Sequence, residues 1–170
     1  GIQFHPEVVH TENGTDILKN FVINVCQVEQ SWTMEKFVES TIERMSKIEG
    51  NVLCGVSGGV DSTVASLLIH KAIGNRLQAV FVDNGLLRLN EPYEIEEIFT
   101  KNFEMNFEKI NAQEEFLLKL KGESDPERKR KIIGEEFIRV FSKFAEKNGP
   151  YKYLAQGTLY PDVIESGVSK

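Results

Sequence analysis

Apolar positions along this chain keep two rhythms, one helical and one extended. A short opening segment, Gly1–Glu7, ends in His-Pro-Glu. After it, Ile17, Leu18, Phe21, Val22 and Val25 recur at helical spacing, with Asp16 in the first turn. The polar stretch Gln27–Ser31 reads as a linker. Thr33 stands where an N-cap belongs, ahead of a stripe formed by Phe37, Val38, Ile42, Met45 and Ile48, and Glu49-Gly50-Asn51 closes that helix. Strand and helix then alternate. Val52–Val56 predicts a buried strand, and Val60, Val64, Leu67, Leu68 and Ala72 predict one face of a helix ended by Gly74-Asn75. Leu77–Val82 predicts a second strand, Ile95, Ile98 and Phe99 a helix, and Phe107–Ile110 a third strand. A long charged helix starts near Pro126, with Ile133, Phe137, Val140, Phe141 and Phe144 facing inward, and Tyr153–Gln156 predicts a fourth strand. Strands separated by helices imply an α/β fold, a parallel sheet with helices on both faces. There is no internal repeat or low-complexity tract.

Composition narrows the function classes. At 170 residues the chain is long enough for one domain with a real core. Its net charge of −6 argues against broad nucleic-acid binding, which needs a surplus of Lys and Arg, but a single nucleotide needs only a local basic patch. The two cysteines, Cys26 and Cys54, form no CxxC pair and suggest neither a disulfide framework nor a zinc site. No apolar run approaches the roughly 20 residues of a membrane span, and no signal peptide is evident. A reduced, cytoplasmic compartment is the expectation. The chain opens at Gly1, within a motif, and is read as a fragment.

The sharpest local signal is Ser57-Gly58-Gly59-Val60-Asp61-Ser62-Thr63, directly after the first strand and opening a helix. Two glycines allow close approach of the backbone to an anion. The helix start offers unpaired N–H groups and a positive dipole end. Ser57, Ser62 and Thr63 add hydroxyls. These parts predict a phosphate cradle. It is not a Walker A loop, which places Lys where Asp61 stands, and GxGxxG is also absent. A carboxylate beside phosphates repels them unless a cation intervenes, so Asp61 predicts a Mg²⁺ ligand. The plainer reading is a glycine turn, with Asp61 serving the helix dipole.

The string resembles the pyrophosphate loop of the ATP-pyrophosphatases. These enzymes cleave ATP between the α- and β-phosphates, adenylate a substrate oxygen and release pyrophosphate. The resemblance implies an adenine-nucleotide α-hydrolase-like fold and ATP and Mg²⁺ as cofactors, with Ser57, Gly58, Gly59, Val60, Asp61, Ser62 and Thr63 on the phosphates.

Four further stretches resemble the GMP synthetase family in particular. Gly1–Glu7 is similar to the end of a class I glutamine amidotransferase domain, in which His5 and Glu7 would complete a Cys-His-Glu triad. Val80–Arg88 is similar to a strand and loop against which adenine lies, near Val82. Asp125–Gly134 is similar to a lid whose Arg, here Arg130, contacts the phosphate of xanthosine monophosphate; without that resemblance, four consecutive basic residues are a solvated helix face. Gln156–Ser166 is similar to a second site loop. There Asp162 or Glu165 would help hold Mg²⁺ or nucleotide, or Asp162 would simply open a short helix behind Pro161.

The resemblance implies residues 1–26 as an amidotransferase remnant, 27–33 as a linker and 34–170 as the synthetase domain. It implies xanthosine monophosphate and glutamine or ammonia as substrates, and a homodimeric parent whose glutaminase nucleophile lies upstream of His5. Two rivals stay open: another pyrophosphate-loop enzyme, amidating or thiolating, and an inactive nucleotide-binding or interaction module.

Overall fold

Residues 1–158 are described by a computed structural model of the chain. They divide into two compact units, Gly1–Glu39 and the residues from Ser40 onward.

In the first unit the helical spacing forms α1, Gly14–Lys19, which continues as a wider π-type turn over Asn20–Val25. Its stripe of Ile17, Leu18, Phe21, Val22 and Val25 is exposed rather than buried. Trp32 and Phe37 pair at a ring-centroid distance of 6.0 Å. Thr33 caps α2, Met34–Ser46, as its position predicted: its Oγ1 accepts the Lys36 N–H at 3.2 Å. The division between the units falls inside α2.

The second unit is built on four parallel strands, β1 Val52–Gly55, β2 Leu77–Asp83, β3 Phe107–Asn111 and β4 Tyr153–Ala155, in the order β3-β2-β1-β4. Val56, expected in β1, lies just past it, yet its N–H still donates to the Val80 carbonyl at 3.0 Å. Side chains alternate across the sheet. Val52, Cys54, Leu77, Ala79 and Phe81 point to one face, where Ile69 and Ile73 of α3 (Val60–Ile73) and Ile95 of α4 (Glu91–Glu97) cover them, together with Phe99 from the turn that follows α4. Leu53, Val80 and Val82 point to the other face, under Phe116 of α5 (Gln113–Leu120) and Val140 of α6 (Pro126–Asn148). Burial on both faces is why β2 reads as an unbroken apolar run.

Two helices differ from the sequence expectation. The buried side of α3 is Ser62, Ser66, Ile69 and Ile73, while Val60 and Val64 are exposed. A helical serine can face a core when its hydroxyl is satisfied within the helix, and the fully buried Ser66 donates to the Thr63 carbonyl at 2.9 Å. The other is α5, unmarked by apolar periodicity because only Phe116 points inward while Leu117 and Leu118 are exposed.

Candidate functional site

The Ser57–Thr63 string occupies the turn from β1 into α3. Gly58 sits at φ +81°, which favours glycine, and a Cβ there would come within 2.7 Å of Ile95 Cγ1, so any larger residue would also have to push the Ile95 side chain aside. Ser62 Oγ is the loop's keystone: it accepts the Ser57 N–H, donates to the Gly59 carbonyl and lies beside Ser57 Oγ, each at 3.1 Å. Thr63 Oγ1 donates to the same Gly59 carbonyl at 2.8 Å, and the Gly59 N–H donates to Ser57 Oγ at 3.3 Å. The hydroxyls therefore brace the loop. The donors left for an anion are the first-turn N–H groups of α3 (Val60, Asp61, Ser62), which have no acceptor within the helix.

Beside this turn opens a cavity of about 610 Å³. Gly55, Val56 and Ser57 form its floor, with Ser62 and Val82. Gly134, Phe137, Ile138, Phe141 and Ser142 of α6 form one wall, and Leu154, Ala155, Gln156 and Gly157 another. It lies at the carboxyl ends of β1, β2 and β4. Strands are added on both sides of β1, and in open α/β sheets ligands bind at such a reversal of order. Gly157 passes so close to α3 that a Cβ on it would stand 3.4 Å from the Ser62 nitrogen.

Val82 thus lines the cavity, while Asp61 is exposed on the first turn of α3. Among the described residues no group of three or more His, Cys, Asp or Glu side chains converges. A cation at Asp61 would take one carboxylate from the chain and its other ligands from phosphate and water. Mg²⁺ accepts that donor set, because it keeps several waters and binds through one or two carboxylates plus substrate phosphates. Arg130 is exposed and ion-paired with Glu127 on its own helix, outside the cavity lining. It lies one turn, about 6 Å, before Gly134 on the same helix face. Asp162 and Glu165 lie outside the described residues.

His5 and Glu7 do meet. His5 Nδ1 is 2.8 Å from Glu7 Oε1, with both side chains exposed. A hydrogen bond from the Glu7 backbone, and then the His5 ring, hold that carboxyl below its ordinary range. Thr11 Oγ1 donates to the His5 carbonyl at 2.5 Å. Neither thiol is set like a nucleophile on a sharp turn. Cys26 is exposed at the end of its helix, and Cys54 is buried in β1, where desolvation pushes its pKa up to about 11.

Sequence reasoning missed two acidic residues near the site. Asp83, buried at the end of β2, accepts the Gly85 N–H at 3.1 Å and Gln113 Nε2 at 2.8 Å. Glu136 is buried on α6 and ion-paired with Arg139 and Lys119.

A nucleotide-sized cavity at the strand ends, beside an anion-ready helix start, defines a nucleotide-binding α/β domain. The chain belongs to the NAD synthase family, whose model matches residues 31–139; a model for glutamine amidotransferase class-I matches residues 1–25. Among curated proteins it is 58% identical to the glutamine-hydrolysing GMP synthase of Alkaliphilus metalliredigens over 98% of this chain and 33% of that protein. It is 56% identical to that of Caldicellulosiruptor saccharolyticus over 100% of this chain and 34% of that protein. The chain therefore spans about a third of the length of these relatives. Solved structures share the fold. An NH3-dependent NAD synthetase from Campylobacter jejuni superposes with a TM-score of 0.59 at 12% identity, over 80% of this chain and 72% of that one. A glutamine-dependent NAD+ synthetase from Acinetobacter baumannii, solved with ADP, gives 0.58 at 18% identity over 84% and 30%. Among the described residues no helix is long and apolar enough to cross a membrane.

Proposed function

We propose that this chain carries the ATP-activating part of a glutamine-hydrolysing GMP synthase. Residues 1–26 would belong to its amidotransferase domain, 27–33 to a linker and 34–170 to its synthetase domain. The observation that supports this best is the braced Ser57–Thr63 turn opening onto the 610 Å³ cavity, in a chain so similar to GMP synthases. In this reading adenine enters the cavity near Val82, and the first-turn N–H groups of α3 hold the β- and γ-phosphates. The purine O2 of xanthosine monophosphate attacks the α-phosphorus, the bond to the bridging oxygen breaks, and pyrophosphate leaves. Ammonia then displaces AMP from the adenylated purine. Fixed donors on the leaving pyrophosphate lower the barrier because they meet charge as it develops. Mg²⁺ at Asp61 would neutralise part of that charge.

Arg130 would leave Glu127 to grip the phosphate of xanthosine monophosphate, its planar fork suiting two phosphate oxygens. His5 would act as base toward a thiolate supplied from outside this chain, with Glu7 fixing its tautomer. A homodimeric, cytoplasmic enzyme belongs to the same reading. The test is ATP–pyrophosphate exchange dependent on xanthosine monophosphate, in the full-length enzyme. Asp61→Asn should abolish exchange while leaving glutamine hydrolysis. Normal exchange by that variant would sink the metal assignment, and ATP turnover indifferent to xanthosine monophosphate would favour another pyrophosphate-loop enzyme.

A further inference from the structure

We infer that Glu136 is a positioning residue for the nucleotide: by tying α6 to α5 it sets how far the α6 wall stands from the strand ends. This rests on the cavity being the ATP site.

Glu136 is only 2% exposed, yet it carries a carboxylate. Arg139 Nε donates to its Oε1 at 2.9 Å and Arg139 Nη2 bonds it as well; Lys119 Nζ of α5 stands 3.5 Å from Oε2. Arg139 Nη2 also bonds Glu115 of α5. Both carboxylate oxygens are thus held, and α5 and α6 are joined at two points. At about 100° per residue, Glu136 lies roughly 160–200° around α6 from Gly134 and Ile138. It sits on the far side of the helix from the cavity.

The tie continues to the sheet. Phe116 of α5 meets Phe137 of α6 edge-on at a centroid distance of 5.0 Å. Gln113 at the start of α5 bonds Asp83, and the Ala112 N–H donates to the Asp83 carbonyl at 2.9 Å. Asp83 follows Val82 on the cavity floor. A bonded path therefore runs from β2 through α5 to α6, whose other side forms a wall of the cavity. The clearance inside is narrow: Phe141 Cζ lies 3.1 Å from where a Gly55 Cβ would stand. Apolar side chains in place of the whole Glu136–Arg139–Lys119 cluster would serve stability as well as the buried ion pairs do, whereas removing Glu136 alone strips Arg139 and Lys119 of a partner. What the carboxylate adds is direction: Oε2 reaches Lys119 of α5 directly, and Oε1 holds Arg139, within α6, in the pose from which it bonds Glu115 of α5.

The experiment is isothermal titration of the full-length enzyme with ATP, comparing wild type, Glu136→Met and Glu136→Gln below their melting midpoints. A merely structural role would reduce the binding stoichiometry and leave Kd unchanged. The positioning role keeps stoichiometry and raises the ATP Kd about tenfold in both variants, with Arg139→Lys, which keeps the charge, in between. Full-affinity binding by both variants overturns the inference while the function stands. A wild-type enzyme that binds no ATP overturns the function itself. If Glu136→Met does not fold, Glu136→Gln, which keeps the side-chain shape, decides alone.

Discussion

Ser62→Ala tests whether the loop is preformed. Its hydroxyl stands 3.1 Å from the Ser57 N–H, the Gly59 carbonyl and Ser57 Oγ. The Gly59 carbonyl survives the change, because it keeps the Thr63 N–H at 3.1 Å and Thr63 Oγ1 at 2.8 Å. The Ser57 N–H does not: it loses its acceptor, the buried Ser62 hydroxyl, in a bond that is part-buried although Ser57 itself is exposed. An orphaned buried donor costs about 1–3 kcal/mol, against about 0.5–1.5 for an ordinary hydrogen bond. Thr63→Ala removes one of several donors to Gly59 and orphans nothing, so its cost should lie at the low end of the smaller range. The expected order is Ser62→Ala well above Thr63→Ala, by about 1 kcal/mol or more, in urea unfolding. If ATP binding must reorder the loop, the same difference appears as a roughly five- to tenfold weaker Kd. Equal losses for the two variants, or a neutral Ser62→Ala, would refute the bracing role.

Three other outcomes follow. Arg130→Lys keeps the charge but loses the fork; the KM for xanthosine monophosphate should rise several-fold with the ATP KM little changed, and no change in either would leave Arg130 as a solvated helix residue. In native protein at pH 8, iodoacetamide should label Cys26 and spare Cys54, whose thiolate fraction is then about one part in a thousand. Because burial favours the neutral Cys54 thiol, its contribution to stability should fade as pH rises past the unfolded value, about 8.5; native labelling of Cys54 would contradict its placement. Phe116→Ala should cost about 3–5 kcal/mol in unfolding free energy, whereas Leu118→Ala, at a position 74% exposed, should change it by no more than about 0.5.

The strands were legible because a doubly covered sheet writes itself as apolar runs such as Leu77–Val82. The phosphate loop was legible because its chemistry is local, held within seven consecutive residues. What escaped depends on partners far along the chain. Asp83 answers to Gln113, 30 residues on, and Arg139 to Glu115, 24 residues back. No periodicity signals such pairs. The face of α3 was misread for a related reason: Ser62 and Ser66 look like solvent positions until their hydroxyls are seen bonding to carbonyls of the turn and helix. Phe137 and Phe141 were expected to face inward, but inward for α6 means the rim of a cavity as well as a core.

The last strand has a temporal consequence. β4 is three residues long and stands at the edge of the described sheet, and it pairs with β1, Cys54 meeting Ala155 across about a hundred residues of chain. Contacts so remote in sequence close late in folding, and short edge segments are the first to open again. Among the described strands, β4 and the wall Leu154–Gly157 that continues it are therefore expected to arrive late and to open early. During synthesis the chain would complete its β1–β2–β3 core well before it has a place to put a nucleotide, and in the folded protein hydrogen exchange at β4 should run ahead of exchange in β2.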